Sequence, residues 1–151
     1  QGMIKPFIFC KIVLMKLSLY ILSISLLIAS CNPKDDYIKE VYVNILIDLS
    51  LPEYSDLQVS GNYIFIEGGV EGIIIYHGVG DDYKVYDRNC SYEPSLACSV
   101  IDSVNSGIAY CGCCASAFLL GQDGAVANSP ALLPLKEYYW TLSGSQMRIS
   151  N

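Results

Sequence analysis

The residues best suited to chemistry in this chain are cysteines, and five of the seven lie between positions 90 and 114. They occupy two short runs, Cys90 to Cys98 and Cys111 to Cys114, with Cys113 inside the second run. Two thiol-bearing loops separated by a hairpin-sized insert are expected to meet in space, where they can hold a metal ion or form disulfides. The residues alone leave both outcomes open.

The segments that must position these loops have the patterns of β-strands. Residues 41–49 alternate, which predicts a half-buried strand with one apolar face: Val41, Val43, Ile45, Ile47 and Leu49. A second strand is predicted at 63–67. A hairpin is predicted for 72–76 and 83–86, because a Gly- and Asp-rich turn separates these runs.

The remaining strands are predicted around and after the cysteine loops. They cover residues 100–102, 107–110, 117–120, 124–127, 138–142 and 147–149. No window after residue 31 has convincing helical spacing. The sequence therefore predicts an all-β fold, a small antiparallel β-sandwich with a two-loop, cysteine-rich lobe at one end.

The two cysteine runs resemble the cluster-binding loops of the Rieske iron–sulfur domain, which read C-x-H and C-x-C-H-G-S. Cys90 and Cys111 match the two cysteine ligand positions, while Tyr92 and Cys114 stand at the two histidine positions. The order of turns and strands after the second loop is also similar to that family. The resemblance implies a Rieske-like β domain over residues 41–151.

The number of histidines limits what such a domain can bind. A Rieske centre uses two histidines on one of its two irons. This chain has a single histidine, His77, and it precedes the first cysteine loop. A two-cysteine, two-histidine cluster therefore cannot form within this chain.

The resemblance also implies a pairing for two of the cysteines. Cys113 matches a position that forms a disulfide with a first-loop cysteine in many Rieske domains, and Cys98 is the natural partner. The bridge would close a sixteen-residue loop, worth about 3 kcal/mol in the chain-entropy model. In this interpretation the loops are joined by disulfide and no cofactor is expected.

Metal binding remains the alternative. Cys90, Cys111 and Cys114, completed by Cys98 or Tyr92, would hold an all-thiolate 2Fe-2S cluster of low potential. A closed zinc site is a further option. Cys111 and Cys114 also have the C-x-x-C spacing of a redox-active pair.

The N-terminal region has the features of a secretory leader. The thirteen-residue, mainly apolar run from 17 to 29 is short for a membrane-spanning helix, which needs about 20 residues. Ile28-Ala29-Ser30-Cys31 resembles a lipobox, after which the cysteine carries lipid. We therefore expect a lipoprotein signal peptide at 1–30, lipidation of Cys31 and a polar tether at 31–40.

The charge of the remaining chain narrows its partners. From Cys31 onward there are fifteen acidic side chains against six basic ones, a net charge of −9. Nucleic-acid binding is therefore not predicted. No nucleophile elbow or dinucleotide fingerprint occurs, so no enzyme activity is predicted either.

Together these features predict an exported protein, anchored by the lipid on Cys31 at the outer membrane or cell surface. Its Rieske-like domain is expected to serve as a structural or protein-binding module. An electron-transfer module with a Cys-ligated 2Fe-2S cluster is the alternative.

Overall fold

The computed structural model describes residues 37–151. The predicted signal peptide, the lipidation site Cys31 and the tether up to residue 36 lie outside the described residues. Within the described part, short strands dominate: β1 Asn44–Asp48, β2 Tyr63–Ile66, β3 Ile73–His77, β4 Tyr83–Asp87, β5 Ile101–Asn105, β6 Ile108–Cys111, β7 Ala117–Leu119, β8 Ala125–Asn128, β9 Tyr139–Ser143 and β10 Gln146–Ser150.

The strands form three antiparallel sheets. Their orders are β1-β10-β9, β2-β3-β4 and β5-β6-β7-β8. The predicted hairpin is β3 and β4, with Ile73 opposite Asp87 and His77 opposite Tyr83. The pair predicted between the cysteine loops is β5 and β6. The all-β, antiparallel prediction is confirmed.

Strand β3 lies between two hydrophobic cores. Its run Ile73-Ile74-Ile75 is fully buried, because alternate side chains enter opposite faces of the sheet. Ile73 and Ile75 belong to what we call the base core: Val43, Ile47, Leu49, Leu57, Ile73, Ile75, Tyr83, Val85, Tyr138, Met147 and Ile149. Ile74 belongs to what we call the lobe core: Ile74, Tyr86, Cys90, Ile101, Ala109, Cys111, Phe118, Leu120, Ala131 and Leu135.

One segment differs from its predicted form. The sequence predicts a connecting loop at 54–61, but residues Pro52–Gln58 form a 3₁₀ helix. Pro52 stands in its first turn, where a fixed φ and a missing N–H are tolerated. Leu57 is its buried anchor in the base core. A single anchor in seven residues produces no periodic pattern, which is why the helix was not predicted.

A buried carboxylate joins the end of β4 to the neighbouring segments. Asp87 is fully buried and accepts hydrogen bonds from the Val70 N–H at 2.7 Å, the Asn89 N–H at 2.8 Å and the Tyr138 hydroxyl at 2.6 Å. Gly69 has φ 63°, and a Cβ there would lie 2.9 Å from the Tyr138 hydroxyl oxygen. This close packing fixes the chain immediately before the first cysteine loop.

The first described residues pack against the domain. Ile38 is buried, and Lys136 Nζ donates to the Lys39 carbonyl at 3.0 Å and pairs with Glu40 at 3.0 Å. None of the helical structure between residues 37 and 151 is long and apolar enough to cross a bilayer.

Candidate functional site

The first cysteine loop leaves β4 and returns into β5. Its ends are held together by backbone hydrogen bonds, because Cys90 N–H donates to the Ser99 carbonyl at 2.8 Å and Ile101 N–H donates to the Arg88 carbonyl at 2.7 Å. The second loop joins β6 to β7, and Gly112 N–H donates to the Val100 carbonyl at 2.9 Å. The sheet of β5 to β8 thus brings the two loops together, as their spacing predicted.

Three sulfur atoms from the two loops form a compact cluster, which we call the inner triad: Cys90, Cys111 and Cys114. Their Sγ atoms all lie within 4.8 Å of one another. The Sγ atoms of Cys90 and Cys114 are 3.9 Å apart. Cys90 and Cys111 are buried in the lobe core, and Cys114 is half-buried beside them. The structure therefore brings together the three residues predicted as metal ligands.

The environment shifts the pKa values of two triad thiols in opposite directions. Burial raises the pKa of Cys90 to about 12, and the neighbouring Cys111 thiol adds to this, against a hydrogen bond from the Tyr92 N–H. Burial also raises the pKa of Cys114, but hydrogen bonds from the Ser116 hydroxyl and N–H and from the Cys111 and Cys90 thiols outweigh it. The pKa of Cys114 therefore lies below its ordinary value, and its thiolate forms more readily than that of Cys90.

The other two cysteines of the loops form a separate, exposed group, which we call the outer pair: Cys98 and Cys113. Contact with the Cys98 thiol, more than any other cause, raises the pKa of Cys113 to about 12. The two thiols are thus close enough to interact. All five cysteines of the described residues are thiols in this structure, and the Cys98–Cys113 disulfide stays a prediction.

The two degenerate ligand positions have different surroundings. Cys114 is a member of the inner triad. Tyr92 packs half-buried against the lobe core, and its carbonyl accepts a hydrogen bond from Ser99 Oγ at 2.6 Å. Neither offers an imidazole.

The chain's one histidine lies elsewhere. His77 ends β3, and its ring stacks on Tyr83 of the base core with 4.6 Å between centroids. It is therefore not part of the thiol cluster. The residues present do not fit the two-cysteine, two-histidine cluster that this fold family implies.

A buried serine that the cysteine motifs alone did not point to supports the triad. Ser116 is 1% exposed; its Oγ accepts the Ala131 N–H at 2.8 Å, and its own N–H points at Cys114 Sγ at 3.4 Å. Ser91 similarly fixes the first loop by donating to the Leu133 carbonyl at 2.6 Å. Ser91 follows Cys90 directly, and Ser116 lies two residues after Cys114. Serines near cysteines are common, so the sequence alone does not predict these hydrogen bonds.

Of three comparisons with known proteins, the one with solved structures finds matches. No protein-family model matches the chain, and no curated protein does. The plasma-membrane Rieske protein PetC3 of Synechocystis PCC 6803 is similar in structure, with a TM-score of 0.52 and 18% identity over 74% of this chain and 100% of that one.

Two further solved structures are similar at lower scores. One is the ferredoxin of carbazole 1,9a-dioxygenase from Nocardioides aromaticivorans IC177, with a TM-score of 0.46 and 16% identity over 73% of this chain and 97% of that one. The other is a chain from a complex of carbazole 1,9a-dioxygenase oxygenase and ferredoxin, with a TM-score of 0.47 and 14% identity over 74% of this chain and 94% of that one. The similarity to PetC3 concerns the fold, and the described domain has a Rieske-like fold.

Proposed function

We propose that this Rieske-like domain is a binding or structural module of an exported, lipid-anchored protein, with its two loops joined by a Cys98–Cys113 disulfide. One observation carries the proposal. Tyr92 and Cys114 occupy the positions where the histidine ligands are expected, and His77 lies against Tyr83 in the base core. The usual electron-carrying centre of the fold therefore lacks its ligands.

The arrangement of the outer pair supports the disulfide. Cys98 and Cys113 are exposed, adjacent and on different loops, so their bridge would join the loops directly. Thiols in contact oxidise readily in the oxidising compartments that exported proteins reach. The leader and lipobox that the sequence predicts would direct the chain to such a compartment.

Exposed leucines near the loops support a binding role. Leu132 is 90% exposed, and Leu133, whose carbonyl is bonded to the first loop, is 47% exposed. Leu96, within the first loop, is 46% exposed. Apolar side chains grouped at a surface are typical of protein contact sites. The proposed partner is therefore a protein that binds at this end of the domain, with the membrane lipid on Cys31 as the anchor.

Peptide mapping tests the loop disulfide. The full chain is exported by a bacterial host, denatured in an alkylating agent and digested without reduction. We expect one linked peptide pair containing Cys98 and Cys113, which separates on reduction. Recovery of both residues as alkylated thiols would contradict the proposal. Lipid anchoring is tested separately, since Cys31→Ser should move the protein from the membrane fraction to the soluble fraction.

The inner triad favours a second candidate, an electron-transfer module with an atypical Cys-ligated 2Fe-2S cluster. Its three sulfurs lie within 4.8 Å, and Tyr92 stands at the remaining ligand position. Protein isolated with a brown colour, bleached by dithionite, and with two irons and two sulfides per chain would support this candidate. Colourless protein without iron would exclude it.

A further inference from the structure

The inner triad has a geometry of its own, distinct from that of the outer pair. We infer that Cys90, Cys111 and Cys114 bind a single zinc ion, in a site that does not depend on the oxidation state of Cys98 and Cys113. The inference goes beyond the proposed function, because neither protein binding nor a disulfide between the two loops requires a metal.

The sulfur separations match those of one ion. Zinc–sulfur bonds of about 2.3 Å in a tetrahedron place neighbouring sulfurs about 3.8 Å apart. The Sγ atoms of Cys90 and Cys114 are 3.9 Å apart, and all three triad sulfurs lie within 4.8 Å. Small rotamer adjustments therefore suffice to bring three thiolates onto one centre.

The separation between Cys90 and Cys114 fits a single ion better than two irons. A two-iron cluster takes two pairs of protein ligands, and bridging sulfides hold its irons apart. In the Rieske pattern Cys90 would serve one iron, and the position of Cys114 would serve the other. The short Cys90–Cys114 separation places these two sulfurs as neighbours on a single centre.

Hydrogen bonds to sulfur supply the supporting shell of a metal–thiolate site. The Ser116 N–H points at Cys114 Sγ, with 3.4 Å between the nitrogen and the sulfur. Ser116 is held in place because its Oγ accepts the Ala131 N–H. Such donors orient ligands and stabilise the negative charge on sulfur.

The reaction is a ligand exchange without electron transfer. One Zn²⁺ displaces one proton from each of the three thiols, three zinc–sulfur bonds form, and the three protons pass to solvent. The resulting centre carries a charge of −1. Because Cys114 is only half-buried, solvent reaches that side, and a water molecule completes the tetrahedron.

Disulfide formation uses the three triad thiols less completely than binding of one metal ion does. Three thiols can form one disulfide and must leave the third unpaired, whereas one ion uses all three. With the outer pair bridged, zinc binding accounts for every cysteine of the described residues. Zinc also has no redox chemistry of its own, and its binding would occupy the three sulfurs that could otherwise pair with one another.

Cobalt and zinc titrations of the full chain test the site. The protein is purified under reducing, metal-free conditions and titrated with Co²⁺ while sulfur-to-cobalt charge-transfer absorption is recorded. We expect one equivalent of Co²⁺ to bind, Zn²⁺ to displace it, and three protons to be released per zinc.

Three variants assign the site to its residues. Cys114→Ser should weaken binding by more than the ~100-fold that loss of an outer-shell partner can cause. Ser116→Ala removes a positioning residue and should weaken binding about 10-fold with the charge-transfer bands retained. The matched control Cys98→Ser/Cys113→Ser should keep one equivalent and wild-type affinity. Circular dichroism checks that each variant is folded.

Three results would overturn the inference. The first is a folded, fully reduced protein that develops no charge-transfer absorption with Co²⁺. The second is loss of binding in the Cys98→Ser/Cys113→Ser control. The third is reconstitution with two irons and two sulfides per chain on the triad. None of these results depends on whether Cys98 and Cys113 are bridged in the exported protein, so the proposed disulfide and the zinc site can fail independently.

Discussion

The two cores of this domain use different side chains to hold their strands. The base core consists mainly of large aliphatic and aromatic residues, among them Leu57, Ile75, Tyr138, Met147 and Ile149. The lobe core includes two cysteines and two alanines, which fill less volume: Cys90, Cys111, Ala109 and Ala131. Burial of apolar surface can therefore stabilise the base without assistance, whereas the lobe gains from bonds through sulfur.

The difference between the two cores also concerns the strands next to the thiol loops. Strand β5, which follows the first thiol loop, is less buried than β3, since three of its five residues are exposed, while four of five in β3 are buried. Elements with little buried surface open at a lower free energy than the core. The first thiol loop thus leads into a strand that a cross-link between the loops would help to hold in place.

The largest expected effect comes from emptying the base core. Ile75→Ala removes a fully buried side chain and should lower the free energy of unfolding by about 2–5 kcal/mol, through lost burial and a residual cavity. Urea denaturation measures it. Val79→Ala, at a side chain 90% exposed, should change stability very little. If Ile75→Ala were as mild as Val79→Ala, the base core would not be the main source of stability.

Reduction should act on the lobe instead. If Cys98 and Cys113 are bridged, reduction releases a sixteen-residue loop and should cost about 3 kcal/mol. Hydrogen exchange should show lost protection in β5 to β8, with β1 and β10 unchanged. The double variant Cys98→Ser/Cys113→Ser provides the control, because its exchange should not respond to reductant. Equal loss of protection in both sheets would remove the distinction between base and lobe.

The buried Asp87 network should have an intermediate effect. Tyr138→Phe removes a 2.6 Å hydrogen bond to a buried carboxylate, and hydrogen bonds to charged groups contribute about 1.5–3 kcal/mol. Thermal unfolding at neutral pH measures the loss. Glu67→Gln, an exposed position, serves as the control.

The same tyrosine predicts a pH dependence with a definite sign. Burial, and then the hydrogen bond to Asp87, raise the pKa of Tyr138 above its ordinary value of about 10. The folded protein keeps the phenol protonated while the unfolded chain ionises. This stabilising contribution is complete below pH about 10 and declines as pH rises above it. The stability gap between wild type and Tyr138→Phe should therefore narrow in alkaline solution; a constant gap would contradict the assignment.

The smallest expected effect concerns an exposed ion pair. Lys84 Nζ on β4 lies 2.9 Å from Asp123 Oδ1 in the turn before β8. Its hydrogen bond to Asp123 is the main cause that raises the pKa of Lys84. The Asp123 side chain is 76% exposed, so Lys84→Met should cost less than about 1 kcal/mol. Urea midpoints at low and high salt should converge for wild type and variant, since salt screens the pair.

The strand pattern was largely readable from sequence because alternation is a local property. Residues 41–49 alternate and form β1 over Asn44–Asp48. The run Gly72 to Tyr86 contains a recognisable turn and forms the β3–β4 hairpin. What this run could not indicate is that both faces of β3 are buried, because a continuous apolar stretch does not say which partners cover it.

The contacts around the site were less predictable because they join distant positions. Cys90 and Cys114 stand out by residue type, so their meeting could be expected. Asp87 and Tyr138 are 51 positions apart, and neither has an unusual composition around it. Similarly, only the folded loops reveal that Ser116 bonds both Ala131 and Cys114. Hydrogen-bond networks of this kind depend on the tertiary arrangement, and local sequence does not encode them.

The location of the single tryptophan gives the molecule an internal optical probe. Trp140 packs against the base core, edge-on to Tyr83 with 5.6 Å between ring centroids, and β3 separates that core from the thiols. Its emission therefore reports on one side of the shared strand. A change in Trp140 emission when the cysteines bind a metal or are oxidised would mean that β3 transmits a structural change to the base core. Unchanged emission would mean that the structural change is confined to the lobe.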